Sequence, residues 1–326
     1  GLVDNSFFDP VRKKPYGMRI REAVVDPNNY GGTPLWILAK KHGLRTASYF
    51  WVGSELKEEG LHPDYYFDYN QSVPSQQRID QVISWLNLPE QERPHLITLY
   101  FSSPDTESHQ YGPLAEKTRQ AVIKMDSVLG TIVQGIDATK LPVNIILVSD
   151  HGMSGLIQQE ETYIFLDELV TTKPGSLTVV NGGTQAHLYT TSARQLDSLQ
   201  AMLKSHAADF YVYRRNEFPK HWHYDHDRSG DLLIVAKPGK YLVTGDRQKF
   251  LQAMDRGATF GVHGYDPEEV PDMNGIFYAR GTNIKPGTKI PAFKNIHIYP
   301  LIAHILGLNA PKVDGTLSVL KPIIKN

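Results

Sequence analysis

Short, nearly continuous apolar runs alternate along the chain with amphipathic stretches, the pattern of a sheet that helices cover on both faces. The run at residues 143–148 is rich in β-branched residues and stops at Ser149-Asp150-His151. The run at residues 95–101 has the same character, and a third strand is predicted at residues 45–51. Runs of this kind are typical of parallel strands that are buried on both faces.

Helical spacing of apolar residues predicts the elements between these strands. Thr33 and Pro34 form a helix start, with a capping hydroxyl before a proline at the first helical position, and Gly43 ends that helix. Residues 74–88 carry one apolar stripe, and residues 114–136 predict a long helix. Residues 1–32 are rich in Pro, Gly, Asn and Asp and are predicted to be loop.

The alternation of strand and helix between residues 33 and 149 predicts βαβ units and therefore an α/β fold with a mostly parallel sheet. From residue 155 to 260 the pattern loosens, which favours an inserted α+β lobe. We expect one domain from residues 1–154 and 261–326 and the lobe from residues 155–260. The lobe is predicted to hold strands at 177–180, 187–190 and 232–235 and a helix at 193–205, and the main domain resumes with a strand at 275–279 and a helix at 298–306.

Composition narrows the classes of function. The chain has 326 residues, 40% of them hydrophobic, enough for a sizeable core. Its 34 basic and 35 acidic residues give a net charge of -1, which does not suggest a nucleic-acid groove or a membrane-seeking surface. No apolar run reaches the roughly 18 residues of a membrane span. Cysteine is absent, which excludes disulfides and thiolate metal ligands and suits an exported protein.

Three junctions between a strand and a loop carry residue types that bind metals. Asp105 and His109 follow one strand, Asp150 and His151 follow another, and His263 follows a third. Open α/β sheets place their chemistry outside the carboxyl ends of strands, and carboxylate oxygen with imidazole nitrogen suits zinc or a similar divalent ion. Each junction also has an ordinary alternative, such as a cap, a turn or a core histidine. All three together favour a divalent metal site.

A second group of histidines lies in the lobe. His221, His223 and His226 stand close together in sequence with Trp222 and Tyr224 between them. Neither a strand end nor a carboxylate spacing organises them. We therefore interpret residues 216–228 as an exposed loop, with a metal site as the less favoured alternative.

Several of these stretches also resemble one known family, the nucleotide pyrophosphatase/phosphodiesterase (NPP) family of the alkaline phosphatase superfamily. The resemblance extends over essentially the whole chain, and the SDHGM-type and HGY-type motifs in this order make it specific. The stretches that carry it are Gly1-Leu2-Val3-Asp4-Asn5 with Asp9-Pro10, Tyr49-Phe50-Trp51-Val52-Gly53-Ser54, Tyr69-Asn70-Gln71-Ser72-Val73-Pro74, Leu99-Tyr100 through Pro104-Asp105, His109, Tyr111-Gly112-Pro113, Ser149-Asp150-His151-Gly152-Met153 and His263-Gly264-Tyr265.

This resemblance implies an alkaline-phosphatase-like sheet flanked by helices, with two zinc ions at its edge. One zinc would take Asp105, His109 and His263. The other would take Asp150 and His151, together with an Asp and a nucleophilic Thr that the family carries upstream of the point where this sequence begins. We therefore expect a fragment in which the second zinc binds more weakly than the first and hydrolysis is residual.

The resemblance also assigns residues to the substrate. Asn5 matches an asparagine that donates its amide to a non-bridging phosphate oxygen. Tyr69 and Tyr100 match two tyrosines that sandwich a nucleobase, and Met18 falls near an apolar position of the same pocket. From the residues alone, Asn5 is better explained by a turn, and Tyr100 by a core aromatic.

The expected activity is zinc-dependent hydrolysis of nucleotide phosphodiester or pyrophosphate bonds, with release of a nucleoside 5′-monophosphate. Two alternatives remain open. One is a phosphodiesterase of the phospholipid type, and the other is a catalytically incomplete domain that binds a metal or ligand. The expected partner is a small nucleotide substrate, and the resemblance favours a periplasmic or extracellular location.

Overall fold

The computed structural model describes residues 1–170 and 176–325, which form two compact units. The first unit contains residues 1–29, 105–119 and 151–274, and the second contains residues 30–104, 120–150 and 275–326. The strands are β1 (Ser6–Asp9), β2 (Lys14–Gly17), β3 (Thr46–Tyr49), β4 (Tyr65–Phe67), β5 (Leu96–Leu99), β6 (Ile145–Val148), β7 (Ser154–Ile157), β8 (Tyr163–Phe165), β9 (Leu177–Asn181), β10 (Gln185–Thr190), β11 (Phe210–Arg214), β12 (Leu232–Ala236), β13 (Tyr241–Val243), β14 (Thr259–Val262) and β15 (Phe277–Arg280). The helices are α1 (Arg21–Val24), α2 (Leu35–Lys41), α3 (Ser75–Leu86), α4 (Asp105–Tyr111), α5 (Glu116–Ala138), α6 (Leu166–Leu169), α7 (Ala193–Ser205), α8 (Arg247–Ala253) and α9 (Ile298–Ile305).

The second unit contains the predicted parallel sheet. Its strands pair in the order β4-β3-β5, and both pairings are parallel, with Tyr49 opposite Leu99. Helix α3 buries the predicted apolar stripe against this sheet, and its side chains join the residues of β3 in one core that also takes Ile132 and Ile136 from α5. Strand β6 pairs with β15 in a separate antiparallel pair. The βαβ prediction therefore holds for the β3 to β5 region, but the prediction of a parallel strand at residues 143–148 is wrong, because the described partner of β6 is the antiparallel strand β15.

The first unit is built around an antiparallel sheet of four strands in the order β11-β12-β10-β9. Strand β12, with the sequence Leu-Leu-Ile-Val-Ala, is buried along its whole length because it lies inside this sheet. Helix α7 begins after Ser192, whose hydroxyl accepts a hydrogen bond from the Gln195 backbone N–H. Smaller pairings in this unit are β14 with β7, β13 with β8 and β1 with β2.

Two local predictions are wrong. Residues 1–32 are not simply loop, because β1 and β2 form an antiparallel hairpin in which the Phe7 and Tyr16 rings stack 4.8 Å apart. Thr33 is not the helix cap, because Pro34 occupies the N-cap position of α2 without a side-chain hydrogen bond.

The predicted division into domains follows different boundaries from the two compact units. The described part of the predicted lobe lies in the first unit, which also includes residues 1–29 and 105–119. Residues 171–175 of the lobe lie outside the described residues. The division at residues 155 and 260 stays a prediction. Within residues 1–170 and 176–325, every helix is too short or too polar to cross a membrane.

Candidate metal centre

Helix α4 carries the first two candidate ligands. The helix begins at Asp105, directly after the loop that follows β5, and places His109 four residues later on the same face. The His109 Nε2 atom lies 3.4 Å from Asp105 Oδ1. One short helix therefore brings a carboxylate oxygen and an imidazole nitrogen together.

His263 joins them from a distant part of the sequence. It follows β14 directly, and its Nε2 atom lies 3.9 Å from Asp105 Oδ1. Ligand atoms of Asp105, His109 and His263 all lie within 4.8 Å of one another. The convergence that the sequence predicts for these three residues is thus present, and all three belong to the first unit.

A backbone hydrogen bond fixes the His109 ring. The His109 Nδ1 atom lies 2.8 Å from the carbonyl oxygen of Gly261 in β14. A carbonyl can only accept, so Nδ1 carries a proton, and in the neutral ring Nε2 is then the nitrogen with a lone pair. This is the arrangement that orients histidine ligands in metal sites.

These side chains fit a zinc ion. Two imidazoles and a carboxylate are a usual set of protein ligands for zinc, which binds them at about 2.0–2.2 Å. Tetrahedral ligands at that distance lie about 3.3–3.5 Å from one another. The 3.4 Å and 3.9 Å separations from Asp105 Oδ1 are close to this value. The donor set and its spacing therefore suit a divalent ion that prefers nitrogen and oxygen.

His151 lies against this group. Its ring stacks on the His263 ring with centroids 3.5 Å apart and planes 14° apart, and its Nδ1 donates to the Gly152 carbonyl at 2.8 Å. Its Nε2 is therefore the nitrogen that keeps a lone pair. The preceding residue, Asp150, is exposed just beyond β6 and is the last residue of its segment in the second unit.

Gly152 is needed for close packing. A Cβ atom at this position would lie 2.0 Å from the carbonyl oxygen of Asp272, and the Gly152 N–H donates to the Met273 carbonyl at 2.9 Å. The role of Gly152 in the structure is the close approach of two backbones.

Asn5 and Met18 are neighbours at the open end of the first hairpin. The Met18 N–H donates to the Asn5 carbonyl at 3.0 Å, and both side chains are exposed. The residue before Asn5 is anchored, because the Asp4 carboxylate accepts hydrogen bonds from Gln185 at 2.6 Å and from His187 at 3.2 Å. The Asn5 amide therefore extends from a fixed backbone.

Tyr69 and Tyr100 lie side by side in the second unit, but their rings do not face each other across a cleft. Their ring centroids are 6.2 Å apart and their planes are 58° apart. A base between parallel rings needs about 7 Å, which is twice the separation of about 3.5 Å between stacked carbon atoms. The Phe50 ring packs edge-on against the Tyr69 ring, with centroids 5.3 Å apart, and this contact fixes the orientation of the Tyr69 ring. The expected cleft one ring wide is therefore absent between these two described residues.

The lobe histidines serve other contacts. His221 Nε2 lies 2.8 Å from Asp266 Oδ2, and His226 Nδ1 accepts a hydrogen bond from the Arg228 N–H at 3.0 Å. Within residues 1–170 and 176–325, the convergent group of metal-type ligands is Asp105, His109 and His263, which does not include the lobe histidines. The interpretation of residues 216–228 as an exposed loop holds for His223 and His226, but Arg228 is buried, and short 3₁₀ turns lie at Lys220–Trp222 and Asp227–Ser229.

Sequence reasoning missed one functional group, the carbonyl of Gly261. The sequence named the histidine but could not name its backbone partner, because the two are 152 residues apart. The sequence does contain a signal for a close backbone contact, because a glycine, Gly261, lies two residues before His263. A Cβ atom there would lie 2.3 Å from the Ser108 carbonyl, so the glycine lets α4 approach β14.

Comparisons with known proteins agree with the family resemblance that the sequence motifs indicate. The profile of the family described as "Type I phosphodiesterase / nucleotide pyrophosphatase" matches residues 1–266. The chain is 30% identical to ectonucleotide pyrophosphatase/phosphodiesterase family member 1 from Homo sapiens, over all of this chain and 35% of that protein. It is 29% identical to venom phosphodiesterase 2 from Crotalus adamanteus, over all of this chain and 40% of that protein. The chain thus spans between a third and two fifths of these curated relatives.

The matches to solved structures cover a larger share of the other protein than the matches to the curated relatives do. Murine ectonucleotide pyrophosphatase / phosphodiesterase 5 superposes with a TM-score of 0.88 at 26% identity, covering all of this chain and 84% of that one. An inactive variant of the same murine protein in complex with AMP also has a TM-score of 0.88, and the match covers 83% of that chain. The expected α/β fold of the alkaline phosphatase type is confirmed by these matches.

Proposed function

Because the chain belongs to the type I phosphodiesterase/nucleotide pyrophosphatase family, we propose that the protein hydrolyses phosphodiester or pyrophosphate bonds of nucleotides with the help of zinc. The product on this proposal is a nucleoside 5′-monophosphate. The relatives named above are called phosphodiesterases or nucleotide pyrophosphatases, and one neighbouring structure is a complex with AMP.

The observation that carries the proposal is the convergence of Asp105, His109 and His263 within 4.8 Å. On this proposal they hold one ion, and Asp150 and His151 contribute to a second. A bound divalent ion supplies positive charge that polarises the phosphate and stabilises the charge developing on its oxygens. The hydrogen bond from His109 to Gly261 orients the imidazole before any ligand arrives.

Asn5 is proposed to donate its side-chain amide to a phosphate oxygen. Donors that are held in position before the reaction stabilise developing charge without a further cost of reorganisation. The two hydrogen bonds to the neighbouring Asp4 carboxylate support this role, because they fix the backbone that carries the amide.

Tyr69 and Tyr100 are proposed to bind the nucleobase. Both side chains are partly exposed, at 45% and 37%, so each offers a ring face to a ligand. Stacking of a base on one aromatic side chain contributes about 1–3 kcal/mol. With the rings tilted at 58°, a base stacks on one ring and contacts the edge of the other.

The experiment is an assay of p-nitrophenyl thymidine monophosphate hydrolysis. Treatment with a chelator should abolish the activity, and added zinc should restore it. We expect Asp105→Asn and His263→Ala to lower kcat/KM by about a hundredfold or more, since metal charge stabilisation contributes several kcal/mol.

The matched control is His206→Ala, which removes an exposed histidine at the end of α7 in the same unit and should leave the rate unchanged. Equal rates in the presence and absence of chelator, or no loss in Asp105→Asn, would contradict the proposal. Faster hydrolysis of a choline-phosphate ester than of the nucleotide ester would replace the nucleotide substrate by a phospholipid type.

We also propose that the protein acts outside the cytoplasm. The names of the relatives include the prefix "ecto" and the word "venom", and the absence of cysteine suits export. Fractionation of the native source, followed by detection with an antibody, tests this location.

A further inference from the structure

A cavity in the first unit remains unexplained by the proposed hydrolase. Its volume is about 340 Å³, and strands β11 and β12, the turn at Lys220–Trp222 and the loop that follows β14 form its walls. This is within the usual range of small-molecule sites, about 300–1,000 Å³. The space is therefore large enough for a small ligand.

Aromatic rings form much of the wall. Tyr213 meets Trp222 edge to face, with centroids 5.4 Å apart and planes 79° apart, and Tyr211 lies 6.1 Å from Tyr213 at 44°. Tyr265 is buried in the wall, and its hydroxyl donates to the Lys240 carbonyl at 2.5 Å. Rings at several angles present electron-rich faces to a ligand, the geometry that attracts cations.

An ammonium group of the chain already lies against one of these rings. The Lys237 Nζ atom is 5.4 Å from the centroid of Tyr211 and donates a hydrogen bond to the Ala208 carbonyl. This distance is within the range of about 6 Å in which a cation is attracted to an aromatic face. Tyr211 thus already makes a contact with a cation of the chain itself.

Carboxylates supply the second feature of the cavity. Among the described residues that line it, Asp266, Glu268 and Glu269 are acidic, His221 is the one imidazole, and none is Lys or Arg. Glu268 is largely exposed, with 69% of its side chain accessible. An anionic ligand would meet several negative charges here, whereas a cation would be attracted.

Asp266 also fixes the aromatic wall. Its Oδ2 atom accepts hydrogen bonds from Trp222 Nε1 at 2.7 Å and from His221 Nε2 at 2.8 Å. Burial alone would raise the pKa of Asp266, but hydrogen bonds from Trp222, the Glu268 backbone and His221 hold it below its usual value. The carboxylate is therefore charged at neutral pH and keeps the indole ring in place.

We propose that this cavity is a second binding site, which takes a quaternary or alkyl ammonium cation of about the size of choline. The rings bind the alkylated nitrogen through their faces, and the carboxylates balance its charge. This site does not depend on the hydrolase assignment, because it uses neither the metal ligands nor Asn5, Tyr69 or Tyr100.

The test is a calorimetric titration of the intact chain with choline chloride and with 3,3-dimethyl-1-butanol, a neutral molecule of the same shape. We expect saturable binding of choline that is about tenfold tighter than binding of the alcohol, because the ring faces and carboxylates act on the charge. Choline should also change the fluorescence of Trp222, and Trp222→Phe should lose that part of the signal.

The decisive variant is the double substitution Glu268→Gln and Glu269→Gln, which keeps size at two exposed positions and preserves the fold. It should weaken choline binding by about tenfold. Glu161→Gln removes an exposed carboxylate elsewhere in the same unit and should have no effect, and Tyr69→Ala should also leave choline binding intact. Equal binding of choline and its neutral analogue, absence of saturation across the millimolar range, or unchanged binding in the double variant would each overturn the proposal.

Discussion

At the scale of single residues, the candidate site depends on which nitrogen of each imidazole remains available. His109 and His151 both donate from Nδ1 to a backbone carbonyl, Gly261 in one case and Gly152 in the other. The sequence could name both histidines from their positions after strands. It could not predict the orientation of the His109 ring, since the carbonyl that orients it comes from a distant strand.

Asp4 gives a prediction about pH. Burial alone would raise the pKa of Asp4, but hydrogen bonds from His187 and Gln185 outweigh it and hold the pKa below the ordinary value of 3.8. A carboxyl group with a lowered pKa in the folded state stabilises the fold above the pKa of the unfolded chain. This stabilisation is lost as the pH falls through the folded value.

We therefore expect the free energy of unfolding to fall more steeply below about pH 4 in the natural protein than in Asp4→Asn. Urea unfolding between about pH 3 and pH 6 measures the difference. Asp68→Asn, which changes an exposed acid in the second unit, serves as the control. The same pH slope in the natural chain and in Asp4→Asn would show that the pair with His187 has no such effect.

Tyr69 gives a prediction about kinetics. Tyr69→Ala should raise KM for nucleotide esters several-fold and change kcat little, because stacking on a base binds the ground state and the transition state alike. Tyr278→Ala, at a comparably exposed tyrosine of the same unit, should leave both constants unchanged. If KM stays the same in Tyr69→Ala and in Tyr100→Ala, the base must bind elsewhere.

At the scale of elements, the geometry of the three candidate metal ligands depends on the contact between α4 and β14. The helix provides Asp105 and His109, while the strand ends beside His263 and orients His109 through Gly261. The sequence predicted the ends of the strands well enough to find all three ligands. It did not predict that the missing side chain of Gly261 allows the two elements to approach and that the Gly261 carbonyl orients His109.

Gly261→Ala tests this contact without changing a ligand. The new Cβ would lie 2.3 Å from the Ser108 carbonyl, so α4 and β14 must separate. We expect the free energy of unfolding to fall by about 1–3 kcal/mol, and zinc affinity to fall by about 10–100-fold because His109 loses its orienting partner. Thermal unfolding and a zinc titration measure the two effects.

Gly130→Ala is the matched control. This glycine lies inside α5 with open space around it, so alanine should raise the helix stability by about 0.5–1 kcal/mol and leave zinc binding unchanged. Normal zinc affinity in Gly261→Ala would mean that the contact does not orient the ligand.

Elements whose stability is local were predicted best. Helix α7 has the predicted bounds, Ala193–Ser205, because its serine cap lies directly before it in the sequence. The hairpin of β1 and β2 was missed because adjacent apolar residues at Phe7 and Phe8 hide the alternation of a strand. Contacts from far along the chain hold it, such as the Tyr189 hydroxyl that accepts from the Phe8 N–H at 3.2 Å.

At the scale of the whole molecule, the alternation of strands and helices predicted the α/β class, and the resemblance to the family grouped Asp105, His109 and His263 around one ion. The sequence did not predict how the chain divides. Segments far apart in sequence, such as residues 105–119 and 151–274, belong to one unit and bring those ligands together. The expectation that Tyr69 and Tyr100 lie beside the metal ligands involves both units and stays a prediction.

The most direct test of the account is a crystal structure of the protein grown with zinc, with anomalous data collected on both sides of the zinc absorption edge. The account predicts a zinc peak about 2.0–2.2 Å from a carboxylate oxygen of Asp105 and from the Nε2 atoms of His109 and His263. The peak should disappear in His263→Ala and remain in His206→Ala. Zinc-dependent hydrolysis with no anomalous peak between Asp105, His109 and His263 would contradict the account.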